Sequence, residues 1–253
     1  AVILPLLEAN AVRKAECTLA LDPDLAVDAG ASIEAPPGIP GRPPEPELVA
    51  HSQLPQWSLK SIEGRAALIH SIAHIELNAI DLALDIVWRF PGMPEDFYLD
   101  WVSVAKEEAK HFMLLRDHLV TLGFDYGSFQ AHNGLWEMAE KTSGDLLARL
   151  ALVPRTLEAR GLDASPLVRK KLISVGDHKA GAILELILAE EIGHVAIGNR
   201  WYRHVCAELG LDPIAIYAEL AERHNAPYLR GPFNLEARRA AGFDEEELAA
   251  LGR

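Results

Sequence analysis

Apolar residues recur at three- and four-residue spacing through most of the chain after residue 61, a pattern typical of amphipathic helices. The first such segment begins at Ser61, a suitable helix cap, and continues to the Pro-Gly stop at Pro91. A second runs from about Pro94 to Leu122 and ends at Gly123. Since no alternating strand pattern accompanies these segments, the sequence predicts an all-α fold.

The second half of the chain shows the same periodicity. Gly161 closes a helix that starts near Ser143, and another helix starts near Ser165. The segment between the second and third helices, from about residue 124 to 144, is less regular. The remaining predicted boundaries are a break near residues 174–181, a long helix from about Lys179 to Leu209, and a last helix from Asp212-Pro213 to about His224.

These patterns divide the chain into three parts. Residues 1–60 contain the proline-rich stretch "EAPPGIPGRPPEPELV" and predict an N-terminal arm, extended apart from one short helix, that packs on the rest. Residues 61–224 predict the main helical bundle. Residues 225–253 predict a C-terminal wrap that ends in a short helix.

The composition of the chain disfavours several classes of protein function. The chain of 253 residues has 37 acidic and 24 basic side chains, a net charge of −13, which disfavours binding to nucleic acid. Its two cysteines, Cys17 and Cys206, offer neither a zinc spacing nor a disulfide framework. We found no apolar run of the roughly 20 residues that span a bilayer. We therefore expect a soluble, cytoplasmic protein.

Two helices carry the same core, Glu-Glu-x-x-His, in "VAKEEAKHFMLL" and "LILAEEIGHVAIGNRW". Residues three apart share a helix face, so Glu108 projects with His111 and Glu191 with His194. The flanking residues are apolar, so both pairs should point into a core. A buried carboxylate there must pair or bind a metal.

The helix before each motif carries one more acid amid apolar residues. Glu108 follows Glu76 by 32 positions, and Glu191 follows Glu158 by 33. Two such half-sites are the ligand pattern of ferritin-like dimetal bundles, and the 47 positions from His111 to Glu158 allow their long crossover. Four carboxylates and two imidazoles favour two metal ions, with iron the first choice and manganese the second. A bundle with buried salt bridges to Arg149 or Arg155, or a site that has lost its metal, are the alternatives.

Four residues are candidates for the surroundings of the metals. Glu107 and Glu190 lie four positions before the histidines and either orient the imidazoles or sit on a partly wet face. His70 is an outer candidate on the first helix, and Trp201 is a candidate wall of the same pocket. His74 is interpreted as a packed or surface residue.

The segments "LIHSIAHIELNAIDLALD", "VAKEEAKHF", "GLWEMAEKT", "RTLEARGLD" and "EEIGHVAIGNRW" resemble the ferritin-like family catalogued as domain of unknown function 455. The resemblance covers most of the chain, including "GRPPEPELV". It implies a ferritin-like bundle whose metals are held by the six candidate ligands, all present here. The family is similar, more remotely, to a bacterial ferritin-like diiron tRNA hydroxylase.

The resulting hypothesis is a diiron oxidase or hydroxylase that uses O2 on a small organic substrate. The alternatives are a peroxide- or iron-handling protein (catalase, peroxidase or ferroxidase-like), a tRNA-modifying hydroxylase, and a metal-bearing scaffold without activity. Expected partners are a small-molecule substrate, O2, an electron donor and a second copy of the chain in a homodimer. We expect no membrane partner and no stable nucleic-acid complex.

Overall fold

A computed structural model of the protein describes residues 1–22, 26–34 and 36–251, and the regular secondary structure of these residues is helical. One isolated bridge joins Leu48 to Ala131. The helices are α1 (Ile3–Leu7), α2 (Ala11–Leu19), α3 (Ile62–Arg89), α4 (Glu95–Thr121), α5 (Gly134–Lys141), α6 (Leu146–Leu152), a π-helix (Val153–Glu158), α7 (Ala159–Ser174), α8 (His178–Leu209), α9 (Pro213–Arg223), α10 (Leu235–Ala240) and α11 (Glu245–Ala250). A short 3-10 turn covers His51–Gln53.

The chain divides into two compact units. The first comprises Ala1–Trp136 and Lys171–Ile183, and the second comprises Glu137–Lys170 and Leu184–Arg253. The three parts predicted from the sequence, with boundaries at residues 60 and 224, do not correspond to these two units, and that division stays a prediction.

The first unit is built on the antiparallel pair α3 and α4. Ser61 caps α3 by accepting a hydrogen bond from the Gly64 amide at 3.0 Å, as expected for a serine at this position. The N-terminal helix α2 belongs to this unit and packs on α3 and α4. Lys14 of α2 is buried, donates to the Gly41 carbonyl at 2.8 Å, and forms an ion pair with Asp81 of α3.

In the second unit, α7 continues through two residues that the sequence analysis treated as boundaries. The predicted end at Gly161 and the predicted start near Ser165 are wrong, since Ala159–Ser174 is one helix with Pro166 inside it. A proline cannot donate to the carbonyl four residues earlier. Here that carbonyl, on Leu162, accepts a hydrogen bond from the Asn234 side chain at 3.2 Å. This bond replaces the one that Pro166 cannot donate, so the helix continues.

Three other helix predictions need adjustment. The segment predicted to be irregular contains α5, and the described part of the N-terminal segment forms two short α-helices, α1 and α2, rather than one. The described part of the C-terminal segment likewise contains two, α10 and α11. The predicted bounds of α3, α4, α8 and α9 agree with the structure to within one or two residues.

Helix α3 is long and apolar enough to cross a membrane by length and composition alone. Most of its apolar stretch is buried inside the protein, as in the core helix of a soluble protein.

Candidate metal centre

Three of the predicted ligands meet in the first unit. Glu76 lies on α3, and Glu108 and His111 lie one turn apart on α4. The Nδ1 atom of His111 is 3.1 Å from Oε2 of Glu76 and 3.5 Å from Oε2 of Glu108. All three residues are buried, and they offer ligand atoms within 4.8 Å of one another. This buried Glu/His cluster could bind a metal ion.

The charges of this cluster show why a cation suits it. Burial and the nearby charge of Glu108 raise the pKa of Glu76, despite the opposing effect of His111. Burial alone would lower the pKa of His111, but hydrogen bonds and charges from Glu108 and Glu76 outweigh burial and raise it to about 11. The cluster therefore retains protons when no metal is bound. A divalent ion would supply the same compensating positive charge.

The second unit repeats one part of this geometry. On α8, the Nδ1 atom of His194 lies 3.3 Å from Oε1 of Glu191, and both residues are buried. In both motifs the histidine therefore turns Nδ1 toward the glutamate three positions earlier. Neutral imidazole nitrogen and carboxylate oxygen are both metal ligands, so each motif presents one of each on the same helix face.

Glu158, the third predicted ligand of this half, ends the π-helix and is half-buried. The segment from the π-helix to α7 runs antiparallel to α8. Pro154 lies against Gly198 at one end, and Arg169 forms an ion pair with Glu185 at 2.8 Å toward the other. Glu158 follows Pro154 by four residues, and His194 precedes Gly198 by four residues. The register thus places Glu158 and His194 at the same level of the helix pair.

The π-helix has an identifiable local cause. Pro154 cannot donate to the carbonyl of Leu150, so the ordinary helical ladder fails at this point. A Cβ atom on Gly198 would lie 2.6 Å from Cβ of Pro154, so glycine is what permits this close approach. Single π turns in α-helices often occur at functional sites, and this one ends on a predicted ligand.

The four outer candidates differ in their surroundings. Glu107 and Glu190 are half-buried, which fits either interpretation of them. His70 is buried, and its Nε2 accepts from the Gly127 amide at 3.0 Å. Trp201 is buried and packs edge-on against His204 at 5.2 Å. The predicted outer roles of these residues stay predictions.

The two arginines that were considered as alternative partners of the glutamates have contacts with other groups as well. Arg155 forms a buried ion pair with Glu247. Arg149 donates to the Thr142 hydroxyl at 2.9 Å and to the carbonyl of Ala139.

The first unit also contains a histidine network that is not apparent from the sequence. His74 is buried, as the packed interpretation had it, and its Nδ1 lies 2.7 Å from the Tyr126 hydroxyl. Its Nε2 is 3.1 Å from the His132 carbonyl. The partners come from a segment more than 50 positions away, so spacing along the helix carried no signal for them.

The family described as "Protein of unknown function (DUF455)" matches residues 7–249. The chain belongs to this family. A Haemophilus influenzae protein described as "Uncharacterized protein" is 47% identical to the chain over 213 residues, which cover 81% of this chain and 74% of that protein. No solved structure matches the chain.

Proposed function

We propose that this family member is a dinuclear non-haem metal protein with a ferritin-like four-helix bundle. The proposed ligands form two half-sites: Glu76, Glu108 and His111 in one, and Glu158, Glu191 and His194 in the other. The observation that carries the proposal is the repeated geometry at the two motifs, where His111 and His194 present Nδ1 to a glutamate at 3.5 and 3.3 Å. The near-equal sequence spacing to Glu76 and Glu158 supports it.

The donor set favours iron, with manganese second. Carboxylates are hard ligands, imidazole suits iron, and none of the six proposed ligands is a thiolate. The burial of Glu76, Glu108 and His111 also favours a bound cation, because buried carboxylates are costly without positive charge. The residues present therefore fit two divalent ions.

We propose further that the protein is an oxidase or hydroxylase that uses O2 on a small organic substrate. When bound in the ferrous state, two iron ions supply the electrons that reduce O2. The chain's own contribution is to hold both histidines with Nδ1 inward and to keep water away from the buried carboxylates. An external electron donor would restore the reduced state.

Charge supports a small substrate over tRNA. The chain carries 37 acidic and 24 basic side chains, and phosphate contact requires clustered Lys and Arg. The densest basic groups, "VRKKL" at 168–172 and "EARRA" at 236–240, are short. In the second of these, Arg238 and Arg239 are engaged with Asp163 and Glu245.

The test begins with protein prepared without a metal-affinity tag and reconstituted with ferrous iron under anaerobic conditions. Elemental analysis should find about two metals per chain, and admitted O2 should be consumed in proportion to the iron. Less than about half a metal per chain would sink the dinuclear proposal, since such a site holds two.

Two further measurements separate the alternatives. Rapid disproportionation of peroxide without reductant would favour a peroxide-handling protein over an oxidase. Micromolar tRNA binding at about 0.15 M salt that weakens steeply with added salt would instead promote the tRNA-modifying reaction.

A further inference from the structure

The second unit contains a cavity of about 570 Å³ beside α9, a size typical of small-molecule sites. Its described walls are mostly apolar, with side chains such as Ile214 and Leu229, and include none of the six proposed metal ligands. Two arginines, Arg155 and Arg238, also line it. We name it the α9 cavity.

Arg155 is only 5% exposed. Its Nη2 donates to Glu247, while Nε and Nη1 are buried and have no hydrogen-bond partner in the part of the chain that the structure describes. Its guanidinium carbon lies 4.5 Å from the centre of the Tyr202 ring and 5.3 Å from that of Tyr217. These rings hold the guanidinium through cation–π contacts. Unlike a carboxylate partner, they do not accept conventional hydrogen bonds from its N–H groups.

Arg238 is fully buried. Its Nε and Nη2 donate to Asp163 at 3.1 and 2.6 Å, and Nη1 has no hydrogen-bond partner among the described residues. The guanidinium carbons of Arg155 and Arg238 lie 5.1 and 5.3 Å from the centre of the same ring, Phe243. The two cations with free donors therefore flank one wall of the α9 cavity.

The two carboxylates beside the arginines are already occupied by several donors. Glu247 is shared between Arg155 and Arg203, whose Nη2 donates to it at 2.6 Å. Asp163 is engaged with Arg238 and with the Asn234 amide. Both carboxylates are therefore engaged by more than one donor, and neither uses the remaining N–H groups of Arg155 and Arg238. Glu222 also lines the cavity, but it is exposed and screened by water.

We propose that the α9 cavity binds a small organic monocarboxylate with an apolar body. The free N–H donors of Arg155 and Arg238 would bind the carboxylate oxygens, and the apolar walls would cover the rest of the molecule. A phosphate ion would leave the apolar walls uncovered, so the lining favours an organic carboxylate over inorganic phosphate. This proposal does not depend on the proposed metal centre.

The test is calorimetric titration of the full chain with three probes. Hexanoate should bind at one saturable site, its neutral isostere hexanamide should bind at least about tenfold more weakly, and inorganic phosphate should bind more weakly than hexanoate. Equal affinity for hexanoate and hexanamide, absence of saturable hexanoate binding, or tighter binding of phosphate would each overturn the proposal.

Two pairs of variants locate the site. Arg155→Lys keeps a positive charge beside Glu247 but loses the guanidinium donors, so hexanoate affinity should fall at least about tenfold. Arg203→Lys changes the other partner of Glu247. Arg203 does not line the cavity, so this variant should leave hexanoate affinity within about twofold.

Ala221→Phe should fill the cavity and abolish binding, while Ala215→Phe on the exposed side of the same helix should not. Hexanoate binding that survives both Arg155→Lys and Ala221→Phe would place it elsewhere.

Discussion

The Nδ1 atom of His111 lies 3.1 Å from Oε2 of Glu76, although 35 positions separate the two residues in the chain. The contact joins the two longest elements of the first unit, α3 and α4, at a buried point. It also gives the acid on α3 a specific partner, one that also contacts Glu108. The three residues therefore act as one electrostatic group, and loss of one member changes the charge balance of the others.

Metal occupancy should depend on the histidines. Replacing His194 by Ala removes one proposed ligand, so metal content after ferrous reconstitution should fall from about two to one or fewer per chain. His204→Ala provides a matched control, because His204 lies on the same helix α8 but is partly exposed and contacts Glu208. Elemental analysis of both variants checks this. Equal metal content in the two variants would remove His194 from the ligand set.

The close approach of Pro154 to Gly198 should be sensitive to one methyl group. Gly198→Ala would place a Cβ atom 2.6 Å from Cβ of Pro154, so the helices must shift. We expect a loss of about 1–3 kcal/mol in the free energy of unfolding, the usual cost of overpacking. Denaturant titration measures it, and metal content should fall as well, because Glu158 follows Pro154 by one turn.

Gly193→Ala is the control for that prediction. Gly193 is an exposed residue of the same helix, and an added Cβ atom would meet nothing within 4 Å. Helix propensity alone should then stabilise the protein by up to about 1 kcal/mol. Opposite signs for the two glycine variants are expected, and equal signs would contradict the packing argument.

Local signals in the sequence were enough for the long helices. Ser61 before α3, Gly123 after α4 and Asp212-Pro213 before α9 mark ends that depend on neighbouring residues only. The continuation of α7 through Pro166 could not be predicted in this way. It depends on Asn234, which lies 72 positions from the carbonyl that it satisfies.

The candidate site shows the same division between local and distant information. Glu108 and His111 could be paired from helical geometry, and Glu76 could be added because the pattern repeats at Glu158. The α9 cavity carried no comparable signal. Arg155 and Arg238 are 83 positions apart and belong to no repeated motif, so only the folded chain shows that they flank Phe243.

Buried histidines of the first unit should make it sensitive to acid. Burial lowers the pKa of His70 to about 4, below the ordinary value of 6.5. The unfolded chain therefore binds this proton more readily. The contribution to stability is fully present above pH 6.5 and is lost as the pH falls through about 4. Since each pKa unit corresponds to about 1.4 kcal/mol, the loss is on the order of 3 kcal/mol.

His70→Gln removes that titration while keeping an acceptor for the Gly127 amide. Its free energy of unfolding should fall less steeply than that of the unmodified protein between pH 6.5 and 4, measured by denaturant titration. His178→Gln replaces an exposed histidine and should retain the steep fall. Parallel pH profiles for His70→Gln and the unmodified protein would show that His70 does not cause the acid sensitivity.

The ion pair between Lys14 and Asp81 should be costly to break from one side. Both side chains are almost completely buried, at 1% and 2% exposure. Burial raises the pKa of Asp81, and the charge and hydrogen bond of Lys14 oppose that rise. Lys14→Met leaves Asp81 without its nearest cation, so we expect the free energy of unfolding to fall by about 3–5 kcal/mol.

The double variant Lys14→Met, Asp81→Leu should regain most of that loss, because no carboxylate is then left buried beside an apolar side chain. Thermal and denaturant unfolding of the single and double variants measure the difference. A double variant as unstable as Lys14→Met alone would show that Lys14 stabilises α2 on α3 through its bond to the Gly41 carbonyl instead.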